Sequence, residues 1–129
     1  EVTVVTTLAD PATGEEFILA GTDAGEVVKL NRRGRRLRTL TLSGGLTGLQ
    51  VLSDPEKKRC EIAASTRDGG VVVFDPDFEA RAAASLGREV SGLVSAGREG
   101  GAERLFAVSD RSVALLDYRP FFLRKSREY

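Results

Sequence analysis

The chain has 129 residues, and its 19 Lys and Arg offset 19 Asp and Glu to give a formal net charge of zero. With 41% hydrophobic and 29% charged residues, the composition excludes a disordered or fibrous polymer and fits one soluble globular domain. There is no His and a single Cys, Cys60, which removes a Ser/His/Asp triad, a Cys/His dyad, a histidine zinc site and an internal disulfide.

The apolar runs are short, far below the roughly 18 residues that a membrane helix needs, so no membrane partner is expected. One unpaired thiol agrees with a reducing, cytoplasmic compartment. The chain starts at Glu1 without a basic-then-apolar leader, and we expect it to be a region of a larger polypeptide.

In chain order, the first predicted strand is VTTL, ending at Leu8. FILA and VVKL follow, joined by a turn at Thr22-Asp23-Ala24-Gly25, and RLRTLTL comes after the turn Asn31-Arg32-Arg33-Gly34. The order then recurs as LTGL ending at Leu49, EIAA, a turn at Thr66-Arg67-Asp68-Gly69, VVVF, a turn at Asp75-Pro76-Asp77, and EARAAASL. It recurs a third time as VSGL ending at Leu93, LFAV, a shortened turn at Asp110-Arg111, VALL, a turn at Asp117-Tyr118-Arg119-Pro120, and FFLRKS. Ile18 to Asn31 align without a gap on Ile62 to Asp75 at a spacing of 44, and the third copy runs from Phe106 to Asp117. Phe106 keeps the spacing of 44, whereas Asp117 lies 42 residues beyond Asp75.

Such runs are apolar on both faces and rich in Val, Ile and Leu, as in strands covered above and below. Gly25 and Gly69 stand where a tight hairpin needs a positive φ. Phe78 to Leu86, with four Ala, is the most helix-like stretch, but the repeat sets it opposite Arg35 to Leu42 and so predicts a strand. Four strands per copy make an all-β chain of three four-stranded antiparallel units, about 1–44, about 45–87 and about 88–129.

Units of this size and order resemble β-propeller blades. Small residues belong in the strand nearest the propeller axis, and Thr7, Gly48 and Gly92 hold matching places in the three first strands. The blades are similar to those of WD40-like propellers, in which a Trp-Asp pair ends the third strand; the pairs here are Leu30-Asn31, Phe74-Asp75 and Leu116-Asp117. The linking loops also resemble the FG-GAP type, but ADPATGEE, SDPEKKR and AGREGGAE lack carboxylates at ligand spacing, so neither calcium nor any other cofactor is assigned. The resemblance implies a non-catalytic scaffold for protein–protein recognition, with a small-ligand or glycan sensor as the alternative. Propellers close with about 4 to 8 blades, so three leave two apolar end faces to be covered. The remaining blades of a parent chain, a head-to-tail homodimer closing a six-bladed ring, or flanking domains would each cover them.

Two groups are candidate sites. Thr22, Asp23, Arg67, Asp68, Asp110 and Arg111 occupy equivalent turns, which a propeller opens on one face beside the connections near Ser43 to Gly45 and Gly87 to Glu89. Arg32, Arg33, Arg35, Arg36 and Arg38 form a possible anion patch. The balanced charge and the lack of interleaved aromatic residues argue against nucleic acid, and basic residues also protect an outer strand from pairing with strangers. The basic segment Phe121 to Arg127 is read as the last fourth strand, because Leu123 lies 86 residues beyond Leu37. Glu15-Glu16 is read as a solvated loop, and Cys60 as a small packing residue.

Overall fold

The computed structural model describes residues 1–54, 59–99, 102–119 and 122–129. Parts of the loops SDPEKKR and AGREGGAE, together with Pro120 and Phe121, lie outside the described residues. Among the described residues twelve strands follow one another: β1 (Val2–Ala9), β2 (Glu16–Thr22), β3 (Glu26–Leu30), β4 (Arg36–Thr41), β5 (Leu46–Asp54), β6 (Arg59–Thr66), β7 (Gly70–Phe74), β8 (Ala80–Ser85), β9 (Gly92–Glu99), β10 (Ala102–Val108), β11 (Val113–Arg119) and β12 (Phe122–Glu128). They pair in order as three antiparallel sheets, β1–β4, β5–β8 and β9–β12. Among the described residues there is no helix, and none long and apolar enough to cross a membrane. The Ala-rich stretch forms β8, and the basic C-terminal segment forms β12.

The sheets stack through their faces, and their first strands lie side by side, with β5 packed between β1 and β9. Alternation along each strand divides the apolar residues between two faces. In the middle sheet Ile62 and Ala64 face the first sheet, where they meet Leu8, Leu19 and Val27. Ala63, Val71 and Val73 face the third sheet, where they meet Leu93, Leu105 and Ala107. Each sheet therefore has a leading face, turned toward its predecessor, and a trailing face, turned toward its successor. Burying both faces of the middle sheet is why its strands read as continuous apolar runs.

Polar side chains tie the sheets together at their edges. Lys29 is buried over the Phe17 ring at 4.3 Å and donates to the Pro76 carbonyl at 2.8 Å, linking the first sheet to the β7–β8 turn. Tyr118 donates its hydroxyl to Glu61, linking the third sheet to the second, and burial followed by that bond pushes its pKa upward. Nearer the axis, Thr3 donates to the Leu46 carbonyl at 2.7 Å and Ser95 to Gln50 at 3.2 Å.

Strand register corrects three alignments expected from sequence. Leu49 pairs with Ala64 and Leu93 with Ala107, whereas the residue paired with Ala20 is Val5. Val4 rather than Thr7 therefore matches Gly48 and Gly92, and Thr7 is exposed. A Cβ on Gly48 would lie 2.8 Å from the Leu93 nitrogen, so the axis is crowded there, while at Gly92 the nearest such atom is 4.0 Å away. In the third copy Leu105, not Phe106, matches Ile62, because Leu105 pairs with Leu116 as Ile62 pairs with Phe74. Lys125 rather than Leu123 falls near the matching end of β12, since it pairs with Leu116 as Arg36 pairs with Leu30.

Candidate functional site

One end of the stack carries the β2–β3, β6–β7 and β10–β11 turns together with the connections between sheets. Gly25 and Gly69 turn the chain at φ of 89° and 96°. A Cβ on Gly25 would strike the Leu42 carbonyl oxygen, and one on Gly69 the Arg88 carbonyl oxygen. The same bond closes both turns against the following connection: the Leu42 amide donates to Gly25 at 2.7 Å and the Leu86 amide to Gly69 at 2.9 Å. The Arg67 amide donates to the Gly45 carbonyl at 2.9 Å, reaching from the second sheet to the preceding connection.

Within these turns the hydroxyls point inward rather than outward. Thr22 Oγ1 accepts from the Glu26 amide at 3.1 Å, and Thr66 Oγ1 accepts from the Gly70 amide at 3.2 Å. Ser109 takes the matching place in the third sheet and bonds Ser112 Oγ at 2.9 Å. Thr66 Oγ1 also donates to Asp68, which accepts the Gly70 amide at 3.3 Å and Ser43 Oγ at 3.4 Å. The Thr66 hydroxyl, then the Gly70 amide, hold the Asp68 carboxyl below its ordinary range. Asp23, Arg67, Asp110 and Arg111 remain exposed at the tips.

Four residues outside the expected turn group complete this end: Arg88, Ser112, Lys125 and Glu128. Arg88 donates to Ser112 Oγ at 3.2 Å and pairs with Glu128 at 3.0 Å, so the connection after the second sheet grips the third. Lys125 pairs with Glu128 at 2.9 Å, and it leads Ser112 and Arg88 in holding the Glu128 carboxyl below its usual range. Their spacing follows no repeat, because Arg88 lies in a connection and β12 is offset from β4 and β8.

The arginine run lies at the other end. Arg32 and Arg33 sit on the β3–β4 turn, where Asn31 Oδ1 accepts the Arg33 and Arg35 amides at 2.9 Å each. Arg36 and Arg38 continue onto β4, the outer edge, and all five arginines are exposed. Asp75 repeats the cap of Asn31, accepting the Asp77 and Glu79 amides at 2.9 and 3.0 Å. It also accepts Arg81 at 3.0 Å. Two members of the expected Trp-Asp-like series thus serve as turn caps. The third, Asp117, instead pairs with Arg119 of its own strand at 3.8 Å and with Arg124 across the hairpin at 3.9 Å.

Cys60 is buried beside Ile62 and Phe74, and desolvation raises its thiol pKa. Glu15 and Glu16 are exposed, Glu16 at the start of β2. Among the described residues no three Asp, Glu or Cys side chains gather as a metal ion would require.

No family model matches this sequence, and no curated protein matches it. Solved structures do. The chain superposes on the crystal structure of the β-propeller domain of Myceliophteria thermophila Cps50 (Swd1) with a TM-score of 0.74 and 16% identity, over 97% of this chain and 36% of that one. It also superposes on BBS1N, crystallised in complex with ARL6DN and soaked with mercury, with a TM-score of 0.70 and 12% identity, over 95% of this chain and 36% of that one. The chain thus spans little more than a third of the length of either. The chain has the β-propeller fold, with three four-stranded antiparallel blades. At such identities the likeness carries the fold alone.

Proposed function

We propose that this chain is a non-catalytic propeller scaffold, part of a larger multidomain protein, that recognises a protein partner through its turn-bearing end. The observation that carries this reading is the bracing of that end. The paired Leu42–Gly25 and Leu86–Gly69 bonds fix the turns of Asp23 and Arg67, and the Ser109–Ser112 and Arg88–Ser112 bonds fix the turn of Asp110 and Arg111, before any partner arrives. Binding then loses little loop entropy. Thr22 and Thr66 act as braces beneath the surface, and Asp68 is shared between brace and surface.

A protein partner fits this end better than a sugar or metabolite. Among the described residues, a cavity between Leu86, Arg88, Ser109, Ser112 and Glu128 measures about 20 Å³, room for about one water. The tips also mix charges of both signs, with Asp23 on the first, Arg67 and Asp68 on the second, and Asp110 and Arg111 on the third, which suits a mixed-charge protein surface. The arginine run at the opposite end guards the β4 edge.

The test is a charge-reversed chain carrying Asp23→Lys, Arg67→Glu and Asp110→Lys. These sites are exposed, so stability should change by only about 0.5 kcal/mol each. Partner capture should fall at least tenfold while the circular dichroism spectrum stays the same. Undiminished capture, or thermal stabilisation of the native chain by a member of a glycan or metabolite panel, would overturn this reading.

A further inference from the structure

We propose that the outer edge of β4 takes up an extended acidic segment of a protein partner, which adds to the first blade as a further strand and is held by Arg33, Arg35, Arg36 and Arg38. This surface lies at the opposite end from the turn-bearing one and does not depend on it. The segment from Asn31 to Leu42 carries five arginines, and no Asp or Glu occurs between Glu26 and Asp54. In a chain of zero net charge that is a strong local asymmetry. All five arginines are exposed, and among the described residues none of them enters an ion pair. By contrast Arg81 on β8 is paired with Asp75, and Arg124 and Lys125 on β12 with Asp117 and Glu128.

The fold does not require these charges. The β3–β4 and β7–β8 turns are built alike: the Asn31 side chain accepts the amides of Arg33 and Arg35 as the Asp75 side chain accepts those of Asp77 and Glu79. One backbone therefore carries opposite charge in successive blades. Farther along, Arg36 pairs with Leu30 as Ala80 does with Phe74, and Arg38 with Lys29 as Ala82 does with Val73. Protection from stray strands does not require five arginines either, since the equally open edge of β8 has a single one, which Asp75 already holds. Their exposure is also independent of the leading face of the first blade. Asp77, Glu79 and Ala80 are exposed although the leading face of their own blade is covered. Arg38 shares the direction of Lys29, toward the second blade, and is exposed beside it.

Three features select an extended acidic peptide. The amides of Arg33, Gly34 and Arg35 already donate to Asn31, so the turn offers no backbone nest to a compact anion, and charge must be met by side chains spread along the edge. β4 pairs with β3 alone, which leaves its outward N–H and C=O groups open to an added strand. No aromatic residue lies between Asn31 and Leu42 on which a nucleic acid base could stack. Register then specifies the peptide. A bulge sets Arg36 opposite Leu30 and Arg38 opposite Lys29, and these neighbours point to opposite faces, so the two arginines flank the edge on both sides. Side chains of an added strand alternate too, so consecutive acidic residues, rather than every second one, meet arginine on both sides. The neighbouring acidic turn, Asp75 to Glu79, repels such a segment and confines it to the first blade.

Fluorescence anisotropy of a labelled oligoglutamate peptide of about eight residues, a common strand length, tests this. The native chain should bind it, and binding should slow amide exchange in β4 but not in β8. Arg33→Asp, Arg35→Glu, Arg36→Ala and Arg38→Ala together give the first edge the side chains of the second. That variant should keep its strand content by circular dichroism while affinity falls at least tenfold; Arg36→Ala with Arg38→Ala, at two exposed sites, repeats the test should the fourfold variant not fold. Methylating the backbone nitrogens of the peptide keeps its charge but removes its ladder donors, and should also weaken binding at least tenfold. Failure of the native chain to bind oligoglutamate would overturn the proposal. So would equal binding of the methylated peptide, which means charge without strand addition, or tighter binding of a single-stranded oligonucleotide of the same charge, which means a phosphate reader.

Discussion

Gly34 and Phe78 stand 44 residues apart at the same point of the β3–β4 and β7–β8 turns, and both have positive φ, 81° and 67°. The amide of each donates to the residue that caps its turn, Gly34 to Asn31 and Phe78 to Asp75, at 2.9 Å. A non-glycine residue in this conformation costs roughly 1–2 kcal/mol. Phe78 bears that cost because its ring is buried edge-on against Phe74, with centroids 5.1 Å apart, and burying a Phe side chain contributes about 1.5–3 kcal/mol. The matching spacing could have exposed this strained position in the sequence, but nothing about Phe78 by itself marks it. The glycines separate strain from collision. Open space surrounds Gly34, so Gly34→Ala should cost about 1 kcal/mol, from backbone conformation alone. At Gly69 a new methyl also meets the Arg88 carbonyl oxygen, so Gly69→Ala should cost about 3 kcal/mol or more. Urea unfolding of the two variants checks the order; equal costs would show that the connection after β8 moves aside freely.

At the scale of the hairpin, the turn between β6 and β7 couples acid stability to Asp68. Its carboxyl titrates below the usual value because Thr66 and Gly70 donate to the ionised form. The stability it contributes is therefore complete above the ordinary carboxylate pKa and is lost as pH falls through the lower, folded value. Asp68→Asn removes this titration, so its urea midpoint should fall less between pH 7 and pH 3 than that of the native chain. An unchanged acid limb would mean that other carboxylates dominate it. Hairpins of this kind were legible from sequence, because Gly25 and Gly69 announce their turns and short β-rich runs flank them. The first strands were less legible. The first strands mix Val, Leu, Thr and Gly with no clear polar alternation to fix their phase, so VTTL could be slid three residues onto LTGL without visible penalty. The same ambiguity displaced Phe106 by one residue from Leu105. The bracing of the candidate surface was hidden for another reason: Arg88 lies in the connection after the second sheet and meets Ser112 and Glu128 of the third only when the blades stack.

At the scale of the whole arc, stability should follow the number of covered faces. In a stacked repeat each unit contributes its own stability plus its contacts with neighbours, and the middle blade has two such contacts where each terminal blade has one. Strands β2, β6 and β10 allow a controlled comparison, since each lies second in its sheet with paired strands on both sides. They differ mainly in what covers their faces. Ile62, Ala63 and Ala64 of β6 are fully buried, whereas Ile18 and Ala20 of β2 and Phe106 of β10 are only half-buried. At high dilution, amide hydrogen exchange should therefore be slowest in β6, by at least tenfold over β2 and β10, or about 1.4 kcal/mol. Uniform protection would show that the three blades open together, and the nearest-neighbour picture would fail.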